Sequence, residues 1–164
     1  MKPWFAEGLF WAAIGFVACS FALGGIGVEI SSGPQAELTL RWHKAFGLLS
    51  FLATLAAAIG FAYGKGGLSG PFRFWTLSFR TPISALLYVL LIAQPVSGWL
   101  LASLQGKLTT VFGLNLPALA TSSGLLSEYV LTYHVLAAGL ILIIAAWSLQ
   151  LMWAAYFFGG VRKR

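Results

Sequence analysis

The chain contains two histidines, His43 and His134, and few other side chains suited to catalysis or metal binding. Both lie close to the start of a long apolar segment, where an ionisable side chain is costly and usually has a function. Aspartate is absent, and the four glutamates and the single cysteine, Cys19, are scattered along the chain. We therefore expect neither a zinc or iron centre built from several side chains nor a hydrolytic or phosphoryl-transfer site.

The composition is that of a membrane protein. Of the 164 residues, 59% are hydrophobic and 9% are charged, and the mean hydropathy is +0.87. Such a chain cannot cover its apolar surface with polar side chains, so membrane lipid must be its main solvent. The ten basic residues lie near the ends of apolar segments rather than along one face. Their pattern indicates membrane topology rather than nucleic-acid binding.

Four apolar segments are long enough to cross a bilayer. They predict an all-α membrane four-helix bundle that forms a single domain over residues 1–164, with helices at about 9–28, 42–63, 82–104 and 128–158. The first segment is longer than the apolar part of a signal peptide, and three further spans follow it. Pro95 should kink the third helix. The connection 105–126 retains apolar residues, and we expect it to fold back over the bundle.

The distribution of lysine and arginine predicts the orientation. Most of them lie on one side of the predicted bundle: Lys2, Lys65, Arg73, Arg80, Arg162, Lys163 and Arg164. Arg41, Lys44 and Lys107 lie on the other side. The positive-inside rule then places both termini in the cytoplasm and the first and third connections outside.

This topology brings His43 and His134 to similar depths near the outer face. Neutral imidazoles from two facing helices can bind a heme iron from its two sides. Small residues nearby, Gly47 on one helix and the pair Ala137 and Ala138 on the other, leave room for a macrocycle. Arg41 and Lys44 flank His43 and can neutralise the heme propionates.

The same residues also permit a simpler interpretation. Histidines near helix ends can donate hydrogen bonds to backbone carbonyls at the headgroup level, and small residues mediate ordinary helix packing in membranes. The spacing of the residues leaves both interpretations open.

Several motifs resemble the bacterial branch of the cytochrome b561 family. The segment 87–99 contains Ala93-Gln94-Pro95-Val96-Ser97-Gly98, which is similar to the family's third-helix pattern Ala-x-Pro-x-x-Gly. Phe112-Gly113-Leu114 with Pro117 resembles the loop that follows. His43 with Gly47 resembles the ligand of the second helix, and Tyr133-His134 the first ligand of the fourth. The resemblance covers roughly residues 40–158 and implies a four-helix bacterial inner-membrane protein that carries heme b and exchanges electrons with quinone.

Two ligands of the family's second heme are missing. The first helix has no histidine, and the position 14 residues after His134, about 21 Å further along the helix, is Ser148. Only Met152 is a plausible axial ligand in the inner half. We therefore expect one heme, and we expect the large aromatic residues Trp11, Trp147 and Trp153 to fill the inner volume.

The combined expectation is a cytochrome with a single bis-histidine heme b near the periplasmic face. Its electron partner would be ubiquinone, superoxide or a membrane or periplasmic redox protein. The alternative is a non-catalytic accessory subunit, with or without heme, of a larger respiratory or photosynthetic membrane complex. An absorption spectrum distinguishes the two.

Overall fold

The computed structural model describes residues 3–29, 32–63 and 82–158. It contains helices α1 (Pro3–Glu29), α2 (Pro34–Tyr63), α3 (Pro82–Leu104) and α4 (Gly124–Phe158), with strands β1 (Thr109–Val111) and β2 (Leu114–Leu116) between α3 and α4. All four helices are long and apolar enough to cross a membrane. The predicted all-α four-helix membrane architecture is confirmed. The orientation of the termini was predicted partly from residues outside the described ranges.

The second helix begins earlier than the sequence pattern predicted. It starts at Pro34 rather than near residue 42, and α4 starts at Gly124 rather than near residue 128. Proline suits the first turn of a helix, where its missing N–H has no intrahelical partner, and Glu37 in that turn favours the same start. His43 therefore does not open α2. It and His134 lie about 14–15 Å from the starts of their helices.

The helices follow one another around the bundle. The most extensive backbone contacts join α1 to α2, followed by α3 to α4, and smaller contacts join α2 to α3 and α1 to α4. The helices that carry the histidines, α2 and α4, therefore lie diagonally opposite each other and have little backbone contact. The centre of the bundle between them is left to side chains.

The connection between α3 and α4 folds onto the end of the bundle. β1 pairs antiparallel with β2, and the Phe112-Gly113 turn has two positive φ angles, 51° and 79°, as tight hairpins require. The indole of Trp99 donates a hydrogen bond of 2.9 Å to the Pro117 carbonyl, and the Leu119 amide donates one of 3.1 Å to Ser103 Oγ. These contacts hold the connection against α3. We call this end of the bundle the hairpin end.

The interior away from the hairpin end is packed with apolar side chains. The ring centroids of Phe10 and Tyr88 are 5.1 Å apart, and Leu87, Leu91 and Ile141 are fully buried. Aromatic rings and branched side chains therefore fill this half of the bundle.

The prediction for two of the tryptophans was wrong. Trp147 and Trp153 are 61% and 66% exposed on the outside of the bundle, whereas Trp11 packs against the core. Helical geometry explains the position of Trp147. It follows the buried Ala145 by two positions, which places it on nearly the opposite face of a helix with 3.6 residues per turn.

Replacing Phe10 with alanine should therefore destabilise the bundle, because it opens a cavity among close-packed side chains. We expect a loss of roughly 3–5 kcal/mol in the free energy of unfolding, measured by detergent-induced unfolding. Trp147→Ala is the matched control and should change this free energy by less than about 0.5 kcal/mol. Equal losses for the two variants would contradict the assignment of the core.

Candidate functional site

The two histidines meet in the interior of the bundle, in the half nearer the hairpin end. The ring centroids of His43 and His134 are 6.0 Å apart, and the ring planes make an angle of 71°. Both side chains are half-buried. The pair is thus formed by side chains that reach across the bundle from diagonal helices.

A contact with α1 fixes the orientation of the His43 ring. Nδ1 lies 2.7 Å from the backbone oxygen of Ser20, and Ser20 Oγ donates a hydrogen bond of 3.0 Å to the His43 carbonyl. Since a carbonyl oxygen can only accept, Nδ1 must carry the hydrogen. In the neutral ring Nε2 is then left with a lone pair and no hydrogen.

A contact with α3 gives His134 the same tautomer. Ser97 Oγ donates its hydrogen to the Gln94 carbonyl at 2.7 Å, so it accepts from His134 Nδ1, which lies 2.8 Å away. The side-chain amide of Gln94 donates to the His134 carbonyl at 2.9 Å and lies 3.5 Å from His134 Nε2, too far for a strong hydrogen bond. Nε2 of this ring is also unprotonated.

This arrangement suits two ligands of one metal ion. Imidazole nitrogens about 2 Å from a shared metal place their ring centres roughly 6 Å apart, as observed here. Histidine ligands of metals generally donate their other ring N–H to a carbonyl, carboxylate or water, which fixes the tautomer. Both rings have such an Nδ1–H bond.

A glycine lies against each ring. A Cβ atom at Gly24 would come within 3.1 Å of His43 Nδ1, and one at Gly98 within 2.9 Å of His134 Cε1. These distances are shorter than ordinary contacts, so a larger residue would displace the rings. Gly47, predicted to make room for a macrocycle, faces α1, where an added Cβ would meet Ser20 Oγ at 3.9 Å.

The two predicted propionate partners have different environments. The Arg41 side chain is 75% exposed and its guanidinium is 3.7 Å from the Glu37 carboxylate. Lys44 is half-buried and, within the described ranges, forms no ion pair or hydrogen bond. Lys107, beside the hairpin, is close enough to repel it electrostatically. Lys44 is therefore the positive charge near His43 that remains available for an anionic group.

Sequence analysis assigned no role to the residues that hold the rings, which are Ser20, Gly24, Gln94, Ser97 and Gly98. The sequence holds a weak indication of this role. Ser20 is a polar residue within an apolar helix, and Gln94, Ser97 and Gly98 belong to the motif around Pro95. Their pairing with particular histidines depends on which helices are neighbours. Among the described residues, no group of three or more His, Cys, Asp or Glu side chains forms a metal site.

No protein-family model and no curated protein matches this chain. The resemblance to the cytochrome b561 family therefore depends on the motifs around Pro95 and the two histidines. The chemistry of the site is argued from its own geometry.

Replacing Gly98 with alanine should destabilise the protein, because the new Cβ displaces a ring that Ser97 holds in place. Alanine favours a helix by about 1 kcal/mol over glycine, whereas such overpacking costs roughly 1–3 kcal/mol. The control is Gly139→Ala, where nothing lies within 4 Å of an added Cβ. Detergent-induced unfolding should show a stabilised control and a destabilised Gly98→Ala variant. Equal stabilisation of both would show that the His134 ring is not confined.

Proposed function

We propose that this chain is a membrane b-type cytochrome that binds one heme b through His43 and His134 near the periplasmic face. It exchanges electrons on that side with a quinone, superoxide or a redox protein. One observation carries the proposal. Two imidazoles with unprotonated Nε2 atoms face each other in the interior of an apolar bundle with their ring centroids 6.0 Å apart, a distance compatible with two ligands of one metal.

The residues present fit a heme. His43 and His134 would supply the axial nitrogens, the Ser20 carbonyl and the Ser97 hydroxyl orient them, and the sparse contact between α2 and α4 keeps backbone out of the space between the two rings. A heme supplies one-electron oxidation and reduction. Because two histidines occupy both axial positions, the site is suited to electron transfer rather than to binding oxygen or a substrate at the metal.

The packing of the bundle supports electron exchange on one side. The half away from the hairpin end is filled by Phe10, Tyr88 and the aliphatic side chains around Leu91. The sequence has no third histidine. A second heme of the same type would have neither space nor ligands, so electrons would enter and leave at the hairpin end, which the lysine and arginine distribution assigns to the periplasm.

The first test is the heme content of purified protein. We expect a b-type absorption spectrum and about one heme per chain in a pyridine hemochrome assay, because the chain offers one pair of axial ligands. His43→Ala and His134→Ala should each lose most of the heme, whereas Ser148→Ala, in the family's second-heme position, should retain it. Two hemes per chain, or full retention in both histidine variants, would contradict the proposal. A colourless, folded protein would favour the accessory-subunit alternative.

The second test concerns the charge beside His43. Removing the Lys44 charge in Lys44→Gln should lower the heme midpoint potential, because a nearby positive charge disfavours the oxidised state. An interaction of about 1 kcal/mol corresponds to roughly 40 mV for one electron. Arg41→Gln should shift the potential less, since the guanidinium is exposed and pairs with Glu37. A potentiometric titration in which Arg41→Gln has the larger effect would overturn this assignment.

A further inference from the structure

The two histidines differ in the nearest acceptor of their Nδ1–H groups. His43 Nδ1–H donates to the main-chain carbonyl of Ser20 at 2.7 Å, and the Ser20 hydroxyl lies further away, at 3.1 Å. His134 Nδ1–H donates to a side-chain hydroxyl, that of Ser97, at 2.8 Å. The first acceptor belongs to the backbone and survives any side-chain replacement at position 20. The second is removed by a single substitution.

Ser97 is held in the role of acceptor by its neighbours. Its own hydrogen is directed to the Gln94 carbonyl at 2.7 Å, and the side chain is buried. The Gln94 amide in turn donates to the His134 carbonyl at 2.9 Å, which links α3 to the backbone of α4 at the same residue. Because its own hydrogen is directed to the Gln94 carbonyl, the Ser97 hydroxyl is left to accept the hydrogen of His134 Nδ1.

We infer that Ser97 is a positioning residue that fixes the tautomer of His134 and sets the donor strength of its Nε2, whereas the Ser20 hydroxyl matters less for His43, because the nearer acceptor of His43 Nδ1–H is a main-chain carbonyl. An imidazole whose Nδ1–H is hydrogen-bonded is a more basic ligand at Nε2 and favours the oxidised state of a metal bound there. Ser97 thus tunes the site through His134. The effect on a bound metal rests on the proposed function, whereas the position of the proton on His134 Nδ1 does not.

The test compares Ser97→Ala, Ser97→Thr and Ser20→Ala in the full-length protein. We expect Ser97→Ala to move the midpoint potential to a more positive value and to change the low-spin electron paramagnetic resonance signal. Ser97→Thr, which keeps the hydroxyl, should retain the wild-type values of both, and Ser20→Ala, which keeps the nearer main-chain acceptor, should shift both less than Ser97→Ala. Loss of heme in Ser97→Ala alone, with retention in the other two variants, would equally support the role of the hydroxyl.

Other outcomes would overturn the inference. These are an unchanged potential in Ser97→Ala, equal shifts in Ser97→Ala and Ser20→Ala, or a Ser97→Thr variant that behaves like Ser97→Ala. If the wild-type protein binds no heme, the proposed function fails, and nitrogen-15 NMR of labelled histidine still tests the inference. His134 should then be protonated at Nδ1 in the wild type and in Ser97→Thr, and should populate the Nε2–H tautomer in Ser97→Ala. The same tautomer in all three proteins would overturn it.

Discussion

The hydrogen bonds to the two histidine Nδ1 atoms are the interactions on which the rest of the site depends. An imidazole in an apolar interior is costly unless its polar atoms have partners. Each bond comes from the helix that precedes the histidine in the chain, from Ser20 on α1 and from Ser97 on α3. Satisfying Nδ1 in this way directs the proton and leaves Nε2 as a base, so the same contacts stabilise the half-buried rings and fix which nitrogen of each ring keeps its lone pair.

The helix pairs α1–α2 and α3–α4 bind their histidines with a common sequence pattern. A polar residue is followed one helical turn later by a glycine, as in Ser20 with Gly24 and Gln94 with Gly98. The polar residue bonds to the histidine of the next helix, and the glycine admits the ring. The helix pairs α1–α2 and α3–α4 are therefore similar units.

The sequence was sufficient to predict the four apolar helices, because hydropathy is a strong signal, and the rarity of histidine singled out His43 and His134, which the structure brings together. It did not predict where α2 starts, since the polar residues after Pro34 resemble a loop although they form a helix. It also misplaced Trp147, because an apolar residue in a membrane helix faces lipid as readily as the core. The partners of His43 and His134 depend on helix neighbours, which local composition does not encode.

The division into two helix pairs also bears on how the protein is made. The ribosome completes α1 and α2, with His43, before it begins the pair that carries His134. Each pair can insert in the bilayer with its own histidine bonded at Nδ1, yet the two rings meet only when the pairs dock. Because α2 and α4 share little backbone contact, the pairs dock through the contacts of α2 with α3 and of α1 with α4. The two imidazoles would then come together only in the last step of assembly in the membrane.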